Sequence, residues 1–131
     1  MKRWIKSGFL FGIVFMVILL ITACGDEELK ELIKRLNGKK ILIKGNHDVK
    51  RGINEWKSVG FSEVYRKKLI LGRLVLTHEP IHELDSNQIN VFGHIHNKPL
   101  DESFDKSNHI CVSCDVIDYT PIQINEKLME K

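Results

Sequence analysis

The first 23 residues contain no acidic side chain, and the remaining 108 contain no net charge. The chain's +3 comes from Lys2, Arg3 and Lys6; residues 24–131 hold 17 basic and 17 acidic side chains. A fold that binds nucleic acid through its phosphate backbone needs clustered positive charge on the folded part, so nucleic-acid binding is not indicated. Cysteine is scarce, at three residues, which excludes a disulfide-built scaffold. No internal repeat or low-complexity tract follows the N-terminal segment, and 131 residues allow one domain, not two. The longest uncharged apolar run, Gly8–Ala23, has 16 residues. That falls a little short of the ~20 needed to span a bilayer.

What is present at the N-terminus is a short basic region followed by this apolar run, the build of a secretory signal. Ile21-Thr22-Ala23-Cys24 resembles the bacterial lipobox, in which the cysteine receives lipid and becomes the new N-terminus. The resemblance implies an extracytoplasmic domain tethered to a membrane through lipidated Cys24. Two other readings use the same residues: an uncleaved anchor helix, and a leader joined to a soluble domain by rearrangement or a misplaced start. The expected organisation is therefore a leader or anchor at 1–23 and a domain at 24–131.

Within that domain, Asp26–Asn37 is an amphipathic helix, with Leu29, Leu32, Ile33 and Leu36 at helical spacing and Gly38 as its stop. Asp26 is expected as its N-cap. Lys40–Lys44 reads as a buried strand and Arg51–Val59 as a short helix. Glu63–Ile70 and Arg73–Thr77 read as a hairpin about Leu71-Gly72, and Ile89–Phe92 and His109–Asp118 as further strands. Tyr119–Ile124 is expected to continue the sheet and Asn125–Lys131 to form a short helix. Helix followed by strand at this spacing points to an α/β (α+β) fold. Cys111 and Cys114 lie in the last long strand, where side chains three apart face opposite ways, so they read as half-buried thiols and not as a chelate.

Three strands end in polar clusters that contain histidine: Gly45-Asn46-His47-Asp48, Thr77-His78-Glu79-Pro80 and Gly93-His94-Ile95-His96. In open α/β sheets the site lies beyond the carboxyl ends of strands, so these three loops are expected to converge. Imidazole suits zinc, iron and nickel, and amide oxygen suits harder ions. Glycine before two of the clusters permits a tight turn or close approach. His82 and His109 lack such a companion motif and read as structural or surface residues.

The three clusters, in this order and context, resemble the third, fourth and fifth motifs of the calcineurin-like metallophosphoesterases. The resemblance extends over Glu27–Lys131, including Tyr119-Thr120-Pro121. It implies a four-layer α/β/β/α sandwich, here preceded by an N-terminal hydrophobic helix, and a two-metal site built from Mn, Fe, Ni or Zn. It further implies hydrolysis of a phosphoester and, for the parent family, a cytoplasmic location. By the same resemblance Asn46, His78 and His94 hold the second metal and His96 the first. His47 attends the leaving oxygen, and Asp48 orients His47.

Two elements of the family pattern are missing. No Asp-x-His occurs anywhere, and the only Gly-Asp is Gly25-Asp26, which has no strand before it. Without anionic ligands, one weakly bound ion and impaired activity are expected from a truncated domain. The alternative is a non-catalytic, membrane-tethered metal-binding or structural domain, or a gene fragment behind a foreign leader.

Overall fold

The structure, a computed structural model, describes residues 26–124. The leader, the expected hydrophobic helix and the expected terminal helix at Asn125–Lys131 lie outside these residues. Among the described residues no helix is long and apolar enough to cross a membrane.

The fold is mixed α/β, with two sheets and few helices. Helix α1 spans Asp26–Arg35, with acids in its first turn and Lys34 and Arg35 in its last, as the helix dipole favours. Asp26 is the first residue of this helix, and its carboxylate pairs with Arg51. That pair ties the helix to the chain that follows the β1 loop. Strand β1 (Ile41–Ile43) follows, then helix α2 (Ile53–Ser58) and strand β2 (Glu63–Tyr65), which pairs parallel to β1.

The second sheet has the order β3 (Lys68–Leu71), β4 (Leu74–Thr77), β5 (Ile89–Phe92), β6 (His109–Cys111). Strands β3 and β4 form the expected hairpin, while β4, β5 and β6 run parallel. The carboxyl ends of these three strands therefore lie along one edge of the sheet.

Two apolar clusters hold the layers together. Leu29, Ile33, Leu42, Trp56, Val59 and Phe61 join both helices to one face of the small sheet. Ile41, Ile43 and Tyr65, on its other face, pack against Leu69, Leu76, Val91 and Val112 around the large sheet. The alternation along β1 (Ile41 and Ile43 one way, Leu42 the other) builds both contacts from three residues.

Several expectations change. Glu63–Ile70 is not one strand: Arg66 and Lys67 are a link, and the chain passes there from the small sheet to the large one. The last strand stops at Cys111, because the chain turns back through hydrogen bonds from Val116 and Ile117 N–H to the Ser113 carbonyl. Cys114 thus lies on a turn and not on a strand; it and Cys111 are half-buried, and neither is in a disulfide. Tyr119–Ile124 adds no strand. Among the described residues no helical layer covers the outer face of the large sheet. Loops around Ile81 and Phe104 do so, joined where His109 Nε2 meets the Ile81 carbonyl at 3.0 Å and stands edge-on to Phe104.

Candidate metal centre

The β1 loop is shaped by its own polar groups. After Ile43 the chain turns through Asn46–Asp48, a single 3-10 turn. Asp48 Oδ2 accepts from the Gly45 N–H at 2.8 Å, which closes the turn and aims Asn46 and His47 outward. Trp56 Nε1 donates to the Asp48 carbonyl at 3.4 Å, and Lys44 Nζ donates to the Arg51 carbonyl at 2.6 Å. Trp56 is buried in the helical core, so the loop is fixed to the fold from beneath. The Asp48 carboxylate thus holds the backbone of the turn that carries His47.

Strand β4 delivers His78 beside this loop. A Cβ placed on Gly45 would lie 2.6 Å from two atoms of the His78 ring, so only glycine permits this approach. Below it, Asn90 is fully buried and fully used. Its amide donates to the Val75 carbonyl at 2.9 Å and to Thr77 Oγ1 at 2.8 Å, and its oxygen accepts from the Ile81 N–H at 3.1 Å. Asn90 therefore fixes both ends of the His78 loop from the neighbouring strand.

Strand β5 delivers His94 and His96, both in left-handed backbone conformation, with φ of 62° and 55°. Such angles are uncommon for residues other than glycine and are found where structure over-determines them. The Gly93 N–H donates to the His78 carbonyl at 3.0 Å, so the two histidine loops are directly linked.

Three side chains meet as expected. His78 Nε2 lies 2.8 Å from Asn46 Oδ1 and 2.9 Å from His94 Nδ1. The amide oxygen is an acceptor, and the two ring nitrogens donate or accept according to tautomer, so all three atoms are of the type that ligates metal ions. Burial, and then the neighbouring His94, hold the His78 pKa below the usual histidine value; Glu79 and Asp48 oppose this and His47 adds to it. His78 is thereby biased to the neutral form that binds metals. Two ligand atoms bonded at ~2.1 Å and at right angles lie about 3.0 Å apart, close to these two separations. Among the described residues no three side chains of the His, Cys, Asp and Glu set are grouped for a metal; the third donor here is the Asn46 amide oxygen.

The other expected residues stand around this contact. His47 is exposed on its turn. His96 is not in the Asn46–His78–His94 network; its Nδ1 lies 3.4 Å from Asp115 Oδ2. Glu79 Oε1 lies 3.7 Å from His94 Nε2, on the ring edge away from His78. That carboxylate lies beyond hydrogen-bond distance and places negative charge beside the His94 ring. Glu79, Asn90 and Asp115 were not singled out from the sequence. Glu79 is adjacent to His78 and offered a signal, as a carboxylate beside a clustered histidine. Asn90 offered one too, as a polar residue on the inner position of an apolar strand. Asp115 offered none. No family model, no curated protein and no solved structure matches the chain.

Proposed function

We propose that this chain is a phosphoesterase-like domain whose Asn46, His78 and His94 hold one divalent ion, and that its hydrolytic activity is weak. The observation that carries the reading is the meeting of three ligand-type atoms, an amide oxygen and two ring nitrogens, from three strand ends at 2.8 and 2.9 Å. The sandwich implied by the resemblance to calcineurin-like metallophosphoesterases supports it through two stacked sheets with helices on one side.

When bound, the ion (Mn, Fe, Ni or Zn) would polarise a phosphoryl oxygen and acidify water. The chain's own residues do the rest. Glu79 adds a negative charge near His94. Asp48 and Gly45 set the turn that carries His47, whose exposed imidazole would give a proton to a leaving oxygen. All three ion-holding donors are neutral, and the Asp-x-His and bridging Asp of the family pattern are absent, so binding is weak. His96 pairs with Asp115, and a second complete ligand set does not form from it.

Hydrolysis of an aryl phosphodiester tests the reading. We expect slow turnover stimulated by Mn or Ni and lost in His47→Ala and His94→Ala. Turnover equal to that of His94→Ala would instead favour a non-catalytic metal-binding domain. The membrane placement is a separate part of the proposal. Radiolabelled palmitate should enter the chain in a bacterial host and fail to enter Cys24→Ser; equal labelling of both would remove it.

A further inference from the structure

The cleft beside His78 has a volume of about 790 Å³. That is within the range of sites for whole small molecules and far more than one phosphate group requires. Its charged lining is Lys44, Arg66, Lys67 and Lys68 against Glu79 and Glu83, four cations to two carboxylates. We propose that the substrate carries a second phosphate group beside the scissile one, and that Arg66, Lys67 and Lys68 bind it. This inference rests on the reading of Asn46, His78 and His94 as the end that receives the scissile phosphate.

Strand register places the three cations there. The Lys44 N–H donates to the Tyr65 carbonyl at 2.9 Å, so Arg66 leaves β2 beside the chain that enters Gly45 and Asn46. Lys68 opens β3 directly across from Thr77, the residue before His78. Arg66 and Lys67 bridge the two strands and thus cross from sheet to sheet along the edge where the loops of the candidate site emerge.

Their charges are uncommitted. Arg66, Lys67 and Lys68 make no ion pair or side-chain hydrogen bond among the described residues. Lys30, Lys34, Lys39 and Arg51 have carboxylate partners; other cations without one among the described residues, such as Lys40, Lys50 and Lys57, lie outside the cleft. Lys44 is not equivalent, since its ammonium is held by the Arg51 carbonyl. Glu79 Oε1 lies 3.7 Å from His94 Nε2. Three adjacent like charges repel one another, and an anion in the cleft offsets that repulsion. Arginine and lysine are the side chains that bind phosphate oxygens most strongly. A polyphosphate chain and an oligonucleotide backbone both present such a second phosphate.

The test is calorimetric, on the full-length, metal-stripped chain in nonionic detergent, with orthophosphate, tripolyphosphate and a thymidine trinucleotide as probes. Three exposed charge pairs, each contributing a factor of two to three, give tripolyphosphate an expected advantage of about tenfold over orthophosphate. The advantage should shrink as salt is raised and fall below about threefold in Arg66→Gln/Lys67→Gln/Lys68→Gln. A trinucleotide that binds as tightly as tripolyphosphate, and loses that affinity in the triple variant, assigns the second phosphate to a nucleic-acid backbone. A weak trinucleotide assigns it to a polyphosphate chain. An equal affinity for orthophosphate and tripolyphosphate, or an advantage that survives in the triple variant, overturns the proposal. Manganese titration of the same protein separates the two readings. Absence of manganese binding removes the metal centre and leaves the polyphosphate result to stand or fall alone.

Discussion

The molecule has two histidine clusters, and they differ in what their ring nitrogens face. At the ends of β4 and β5, His78 Nε2 faces another ring nitrogen and an amide oxygen. Around the outer face of the large sheet, His109 faces oxygen throughout. Its Nε2 meets the Ile81 carbonyl at 3.0 Å, and its Nδ1 lies 2.7 Å from the Asp105 carbonyl and 2.6 Å from Asn108 Oδ1. His82 completes that cluster by stacking on Phe104 with centroids 3.8 Å apart and planes 6° from parallel. One cluster closes two loops through contacts to backbone carbonyls and a stacked ring. The other brings ligand-type side-chain atoms from three strand ends together. The two sets of histidines thus separate by what their rings meet.

The separation is tested most severely by removing one histidine from each cluster. His94→Ala should weaken Mn or Zn binding by at least about a hundredfold, since loss of even an outer partner of a ligand costs 10–100-fold. His82→Ala should leave metal affinity within about twofold, and calorimetry reads both. A comparable loss in both variants would erase the distinction.

Stability gives the next largest effect. Gly45→Ala forces a methyl to 2.6 Å from the His78 ring, and such overpacking costs about 1–3 kcal/mol. Denaturant unfolding should register that loss together with weaker metal binding. His109→Ala should cost about 1–2 kcal/mol through the unpaired Ile81 carbonyl, with metal affinity unchanged. A smaller effect is expected from Glu79→Gln, which removes the charge behind His94 and should lower metal affinity about tenfold without moving the unfolding midpoint.

The smallest effect is on pH. The His78 pKa lies below its unfolded value of ~6.5. At and below that pH the unfolded chain binds a proton that the folded chain resists, so the stabilising preference is present above ~6.5 and lost as pH falls. Thermal unfolding of the metal-free protein should shift downward between pH 7.5 and 5.5, and the shift should be smaller in His78→Ala.

Much of this arrangement was legible because each strand ends where apolar alternation stops and a polar cluster begins. Ile41–Ile43, Leu74–Thr77 and Ile89–Phe92 are apolar segments that run straight into Gly45, His78 and Gly93, and parallel pairing of β4 and β5 then aligns two of those ends. Convergence of the three loops was legible from that pattern; the grouping of Asn46, His78 and His94 came from the resemblance. Sheet membership was not legible. Glu63–Ile70 looks like one strand because Val64, Leu69 and Ile70 are apolar, yet the break falls at Arg66-Lys67, two residues with no turn signature. His109–Asp118 was read too long for a related reason. Val112 and Ser113 are buried like strand residues, but the Ser113 carbonyl is taken by the following turn. The roles of Glu79 and Asp115 depend on distances across loops, which no spacing encodes. The expected fourth layer was inferred from resemblance, and loops around Ile81 and Phe104 fill its place.

The account's central claim is that the ring nitrogens of His78 and His94 face a cation and those of His82 and His109 do not. The most direct test is a titration with zinc of the 15N-labelled protein, following the imidazole nitrogen resonances. The account predicts that His78 Nε2 and His94 Nδ1 shift together and saturate at one equivalent of zinc, while His82 and His109 keep their positions. Unmoved His78 and His94 resonances, or an equal shift of His82 and His109, would contradict it.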